Sequence, residues 1–375
     1  MAGIRESIDL DITAALIQVQ KLEQAVSGAA KASVGGGMLG QNQAPLRETQ
    51  GLLRSIGGAT GEAAAGFRTL GVAGVATGGA IAIGFGLAAK SAIDFESAFA
   101  GVRKTVAGTD EELAAISAGI RQMSTEIPAS TAEIAGVAEA AGQLGIQTDA
   151  VLGFTRVMID LGNTTNLTAD QAADALARIA NITELPQDQF DRLASTIVDL
   201  GNKGAATEAE IVEFGLRIAG AGEIAGFTEA QMLGVASALA SVGVEAEAGG
   251  TAIQKVLIEM TRAVAEGSDS LAVFAKTSGL TSEQFAAAWK SDASAAFTLF
   301  VEGLGRAGDG AFAILEDLDL QDQRLIRSFL ALSGAGDLLR QNIETGSAAW
   351  KANTALTEEA ARRYETTASQ LKILQ

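Results

Sequence analysis

The chain has 375 residues with a formal net charge of −18, and it contains neither cysteine nor histidine. These absences exclude disulfides, thiolate chemistry, Ser–His–Asp triads and histidine metal ligands, and the acidic charge disfavours binding to a phosphate backbone. Only 3 prolines interrupt the chain, which favours helix because proline breaks helices. We therefore predict an all-α protein that is not an enzyme and has no catalytic, cofactor-binding or metal-binding residues.

The first predicted domain, residues 1–30, is an amphipathic helix. Its apolar residues alternate at spacings of four and three, which is typical of a coiled-coil seam; they are Ile8, Ile12, Ala15, Val19, Leu22 and Val26. A short alternating strand over residues 8–12 is the alternative interpretation. Residues 31–61 are rich in Gly, Ala, Ser and Gln, so we predict a flexible linker there.

The second predicted helix, residues 62–93, is apolar and rich in Gly and Ala. Between Arg68 and Lys90, residues 69–89 carry no charged side chain, and about 20 such residues is the length of a bilayer-spanning helix. Small residues recur every four positions, which allows close helix packing in a membrane; they are Gly74, Gly78 and Ala82. The segment is therefore a possible membrane span, a conditionally inserted helix or a buried helix.

Residues 94–267 form the predicted helical core. A Ser or Thr followed three residues later by Glu or Gln is typical of a capping box at a helix start. From residue 94 onward, six such pairs each precede an Ala/Leu/Ile-rich run, five in the core and the last beyond it: Thr109/Glu112, Ser130/Glu133, Thr168/Gln171, Thr207/Glu210, Thr228/Gln231 and Thr281/Gln284.

An internal repeat of about 39 residues runs through this core. The sequence Asp-Leu-Gly-Asn at residues 160–163 recurs at residues 199–202. Each unit would hold two helices, predicted at 130–142 and 148–161, at 168–183 and 187–200, and at 207–219 and 228–242. Pro186 suits a first helical turn. Such a period predicts helical hairpins stacked in a bundle or short solenoid.

The remaining helices form a predicted C-terminal region, residues 268–350, followed by the start of a long helix at 351–375. Helices are expected at about 281–290, 292–305, 309–316, 321–333 and 335–345. The last helix, about 354–375, carries no glycine cap or proline near its end. This pattern predicts a helix that continues beyond the given chain, as in a fragment.

The acidic pairs are the only candidates for catalytic groups in this sequence. Glu111-Glu112 and Glu358-Glu359 lie near predicted helix starts, where carboxylates suit the helix dipole. A loose acidic cluster consists of Asp317, Asp319 and Asp322. It lacks the glycine and the terminal glutamate of an EF-hand loop, so it does not predict a calcium site. The basic pair Arg103-Lys104 has no basic neighbours and is expected on a solvated helix face.

Residues 94–260 resemble the core region of phage tail tape measure proteins. Four short sequences carry the resemblance, together with the closing ASQLK at residues 368–372; they are DFESAF at 94–99, AEAAGQLGI at 138–146, GFTEAQ at 226–231 and AGGTAI at 248–253. The resemblance implies a structural protein of the virion that lies in the tail lumen, sets tail length and takes part in DNA ejection.

The resemblance also implies partners: copies of the chain itself as a homo-oligomer, often a trimer, and the tail tube, tail tip and tail assembly chaperone proteins. It places the protein in the host cytoplasm during assembly and at the host inner membrane during ejection. Direct nucleic-acid recognition is not expected. Two alternatives stay open from the residues alone: a membrane-active helical pore-forming protein, and a helical-repeat scaffold that binds other proteins.

Overall fold

The computed structural model describes residues 78–320 and 322–373, with side chains from residue 91 onward. The predicted N-terminal helix, the predicted linker and residues 62–77 lie outside the described residues. Residues 97–375 form one compact unit, separate from the unit that ends at residue 96.

Helix α1, Gly78–Thr105, runs without a break through the predicted domain boundary at residue 93. Residues 78–89 of the apolar segment are helical, and residues 69–77 are outside the described part. Among the helices that the structure describes, none combines the length and the hydropathy that crossing a membrane requires.

The described residues form helices and no strand, which confirms the all-α prediction. The helices after α1 are α2 Asp110–Met123, α3 Thr131–Gln143, α4 Val151–Thr164, α5 Ala169–Thr183, α6 Phe190–Lys203, α7 Glu208–Ala225, α8 Glu229–Ser241, α9 Ala246–Glu266, α10 Asp269–Ser278, α11 Ser282–Ser291, α12 Ala293–Ala307, α13 Ala311–Asp317, α14 Gln323–Ser333, α15 Gly336–Ala352, α16 Ala355–Tyr364 and α17 Thr367–Ile373.

All six predicted capping boxes are present. In each one the hydroxyl of the cap residue accepts the backbone N–H three residues on, and the Glu or Gln side chain accepts the backbone N–H of the cap. The reciprocal pair satisfies two backbone donors that a helix start leaves without an intrahelical partner. These local bonds fix where α2, α3, α5, α7, α8 and α11 begin.

We expect Thr207→Ala to lower the free energy of unfolding by about 1 kcal/mol at pH 7, because the helix start loses its cap. The pKa of Glu210 is lowered, chiefly by the backbone N–H of Thr207 and then by its hydroxyl. A lowered pKa in the folded state means that this contribution is present above the unfolded pKa and is lost as the pH falls through the folded pKa. Urea denaturation at several pH values between about 7 and 3 measures both effects.

Thr228→Ala is the matched control, because its capping partner Gln231 does not titrate. Its cost should stay constant while the cost of Thr207→Ala shrinks below about pH 4.5. Equal pH dependence of the two costs would contradict this account of the cap.

The hairpins stack as the repeat predicted. The first helices of successive units, α3, α5, α7 and α9, contact one another in order, and so do the second helices, α4, α6 and α8. Two layers result, and the apolar faces of both lie between them. The aliphatic core therefore forms along the stack, with Ile134, Leu176, Ile211 and Val256 buried on the first helices.

Helix α9 is a fourth first helix, which the sequence analysis did not assign to the repeat. The residues that precede the four first helices are Ser130, Thr168, Thr207 and Glu245, at spacings of 38, 39 and 38. Glu245 makes no side-chain cap bond, so the Ser/Thr signal that marked the other three units is missing here.

A third layer consists of α15 and α16, which fold back over the second helices. Helix α15 packs on α8 and α6, and α16 packs on α6 and α4. Helix α8 is therefore buried between two layers, and every residue from Met232 to Leu239 is buried. A helix that is apolar on all sides needs such cover on both faces.

Helices α10 to α14 surround a separate aromatic cluster. Phe274 lies 5.2 Å from Phe300 and 6.2 Å from Phe285 between ring centroids. Phe297 and Phe300 lie 6.5 and 6.4 Å from Phe329 of α14. Helix α9 contacts both α10 and α14, so this cluster continues from the end of the hairpin stack.

The prediction of one long helix at the C-terminus is wrong within the described residues. Helix α16 ends at Tyr364 and α17 begins at Thr367. The hydroxyl of Thr366 accepts the backbone N–H of Ser369 at 3.3 Å, and this local bond favours a new helix start over continuation. Residues 374 and 375 lie outside the described part.

Candidate functional site: the C-terminal seam

The contact of α15 and α16 with α4, α6 and α8, here called the C-terminal seam, brings residues together that are up to about 200 positions apart. At its centre α8 and α15 touch backbone to backbone. A Cβ added at Gly234 would lie 2.6 Å from the Ile343 Cα, and one added at Gly346 would lie 2.6 Å from the Ala230 carbonyl oxygen. Only glycine allows this approach at either position.

Polar groups flank the crossing. Ser237 Oγ donates to Asn342 Oδ1 at 3.4 Å, and the Arg192 guanidinium donates to the Trp350 carbonyl at 2.9 Å. Two buried amide atoms of the described seam, Asn342 Nδ2 and Asn353 Oδ1, have no hydrogen-bond partner. A buried polar atom without a partner costs stability, so these two atoms oppose the gain from the apolar contacts of the seam.

At the α16 end of the seam a buried tyrosine meets a buried carboxylate. Tyr364 is 9% exposed and Asp160 is 8% exposed. The Tyr364 hydroxyl donates to Asp160 Oδ1, and Asn163 Nδ2 lies 3.4 Å from the tyrosine oxygen. Arg156 donates through Nε to Asp160 Oδ2 at 3.1 Å and through Nη1 to Glu126 at 3.0 Å.

Burial controls the ionisation of this pair. Burial raises the pKa of Asp160, and the hydrogen bond from Tyr364 and the charge of Arg156 oppose the rise. Burial also raises the pKa of Tyr364, and the neighbouring Asp160 carboxylate raises it further. The phenol therefore stays protonated and acts as a hydrogen-bond donor to the carboxylate, which holds α16 against α4.

Only the first copy of the repeated Asp-Leu-Gly-Asn sequence holds Tyr364. Asp160 and Asn163 hold Tyr364, whereas the half-buried Asp199 in the second copy pairs with the exposed Lys203 at 2.8 Å. The sequence analysis found the motif but not its partner. One feature of the sequence could have indicated this partner: Tyr364 is the only tyrosine in the chain and lies on the apolar face of the last predicted helix.

In the structure, residues of both acidic pairs make contacts that stabilise helices. Glu112 completes the cap of α2, and Glu359 forms ion pairs with Arg362 and Arg363. Within the described residues there is no cluster of three metal-binding side chains. Asp322 caps α14, whereas Asp317 and Asp319 are exposed before it.

The basic pair lies at the last turn of α1. The Arg103 guanidinium lies 5.9 Å from the centroid of the Phe99 ring, which is a cation–π distance. Lys104 is exposed, as the sequence analysis expected for a solvated helix face.

Three helical layers held by the seam define a protein of stacked helical hairpins. The sequence model of the phage-related minor tail protein family matches residues 117–318, more than half of the chain, and the chain belongs to this family. It is therefore a phage tail protein with a structural role, associated with the virion and with other tail components. The match spans the hairpin stack and the part of the aromatic cluster that precedes α14. Neither a curated protein nor a solved structure matches the chain.

Proposed function

We propose that this phage tail protein is part of a tail tape measure protein, which sets tail length during assembly and takes part in DNA ejection. The observation that carries the proposal is the family match over residues 117–318, which overlaps most of the region that resembles tape measure proteins in sequence. The helical architecture supports it, because tape measure proteins are helical.

Within this proposal, residues 97–375 act as a packed body rather than as an extended segment that measures length. A helix rises about 1.5 Å per residue, so 375 residues in one helix would span roughly 560 Å. Residues 97–375 instead form one compact unit of three layers and an aromatic cluster. Such a unit contributes far less length per residue than an extended helix does.

The proposed place of the protein is the tail lumen, where it acts by assembly rather than catalysis. We propose that copies associate with one another, as a trimer in the family pattern, and with the tail tube, tail tip and assembly chaperone proteins. The net charge of −18 suits a lumen that DNA later fills, because like charges keep the chain from adhering to phosphates.

A phage with an early stop codon in the gene for this chain tests the length-setting function. We expect tube proteins to assemble into tubes of irregular length, or into none, in cells that lack the chain, and a plasmid copy of the gene to restore uniform tails. Electron microscopy of lysates measures the lengths. A stop codon in a receptor-binding fibre gene is the control, because such a phage should keep tails of normal length. Uniform tails of normal length without the chain would refute the proposal.

A further inference from the structure

An open apolar groove lies where the carboxyl end of α7 meets the last turns of α9 and the junction of α11 and α12. Its volume is about 300 Å³, and its lining includes Val264 of α9 and Trp289 of α11. The Trp289 ring is 5% exposed and lies 6.4 Å from the Phe227 ring and 6.1 Å from the Phe285 ring between centroids. These aromatic contacts hold the tryptophan in place, so the groove is formed before any partner binds.

A projecting side chain stands at the edge of the same groove. Ile224 of α7 is part of the lining, and at 67% it is the most exposed of the large hydrophobic side chains in the described residues. Its neighbour Glu223 is also exposed and lies in the last turn of α7, where the helix dipole disfavours a carboxylate. One surface of the chain thus carries an apolar projection, a carboxylate beside it and an apolar groove.

The groove itself carries the opposite charge. Among the residues that the structure describes, Lys290 is the only charged one in the lining, and it is exposed. Neither Lys290 nor Glu223 forms an ion pair within the described part of the chain. The groove therefore suits an apolar side chain that has a carboxylate next to it.

We propose that the occupant of this groove is a second copy of the chain. Ile224 of one copy enters the groove of another and packs over Trp289, while Glu223 pairs with Lys290 across the contact. Because the projection and the groove lie on one surface, the contact can repeat until the assembly closes. The net charge of −18 opposes the approach of two copies, so a local pair of opposite charges is what the contact needs. The proposal rests on the association of copies proposed above and not on the length-setting role.

Sedimentation of the purified full chain over a range of concentrations tests the contact. We expect the wild-type chain to associate, and Ile224→Ser to lower its association constant about tenfold or more, as for a central interface residue. The control is Phe312→Ser, which removes a side chain that is 52% exposed on α13 and should change little. Association that Ile224→Ser leaves unchanged would overturn this surface and leave the association of copies standing. A chain that stays monomeric would overturn both, whereas length setting is tested separately by the tails of the stop-codon phage.

A charge exchange tests the proposed ion pair. Lys290→Glu and Glu223→Lys should each lower the association constant roughly threefold or more, and the double variant should recover it because the pair is restored with its charges reversed. Glu316→Lys, an equal charge change at an exposed position of α13, is the control. No recovery in the double variant, or equal loss in the control, would overturn the pair. Circular dichroism confirms that each variant is folded before the comparison is made.

The absence of cysteine from the sequence allows a direct test of which residues meet. A chain with Ile224→Cys is mixed with a chain with Val264→Cys, and molecular oxygen oxidises the thiols. We expect a disulfide that joins position 224 of one copy to position 264 of another, identified by mass spectrometry. The control mixture contains Phe312→Cys in place of Ile224→Cys. A yield no higher than in this control would overturn the proposal.

Discussion

Valine at position 234 or 346 should lower the free energy of unfolding by about 3 kcal/mol or more, because either side chain forces α15 away from α8. At Gly234 the nearest atoms are the Ile343 Cα at 2.6 Å and the Asn342 carbonyl oxygen at 2.8 Å. These are backbone atoms, so no rotamer change relieves the clash and the whole helix must shift. Urea denaturation followed by circular dichroism measures the loss.

Two exposed helical glycines provide matched controls for this prediction. A Cβ added at Gly136 or Gly153 would meet no atom within 4 Å. Alanine there should raise the free energy of unfolding by up to about 1 kcal/mol, because glycine is a poor helix former. If Gly234→Val proved as harmless as Gly136→Ala, the close crossing of α8 and α15 would be wrong.

Tyr364→Phe is expected to lower the free energy of unfolding by about 1–3 kcal/mol, because it leaves the buried Asp160 carboxylate without one of its donors. The loss should appear first in α16, which the tyrosine holds against α4. Hydrogen exchange of the α16 amides therefore measures the effect locally, and α11 serves as an internal control. Unchanged exchange in α16 would contradict the role of the hydroxyl.

The buried pair of Asp160 and Tyr364 also predicts in which direction the free energy of unfolding changes with pH. The pKa of Asp160 is raised in the folded state, so the folded protein binds this proton more tightly than the unfolded chain does. Its buried charge costs stability at neutral pH, and that cost is relieved as the pH falls through the raised pKa. Wild-type protein should thus gain stability relative to Asp160→Asn as the pH falls from 7 toward 4. A difference that stays constant over this range would contradict the raised pKa.

Local features of the fold could be predicted because their signals lie within a few residues. A capping box needs only a cap residue and its third neighbour, so all six were found. The hairpins followed from apolar periodicity and the repeat. The start of α9 was not recognised as a fourth unit because Glu245 provides no Ser/Thr signal, and the break at Thr366 was missed because one hydroxyl bond decides it.

The third layer could not be predicted because its contacts join distant parts of the chain. Nothing near Asp160 indicates that its partner lies at position 364, 204 residues later. The signals that did exist were indirect. Gly234 and Gly346 lie within helices, where glycine is costly unless a close approach requires it, and α8 is apolar on all sides.

The proposed position in the tail lumen is tested most directly by counting the chain in virions before and after DNA ejection. Quantitative mass spectrometry compares intact particles with particles emptied by purified receptor, with the tube protein as the internal standard. A tape measure protein should be present in intact virions and largely gone from emptied ones. Retention of the chain at an unchanged ratio to the tube protein would contradict the proposal and indicate a fixed component of the tail.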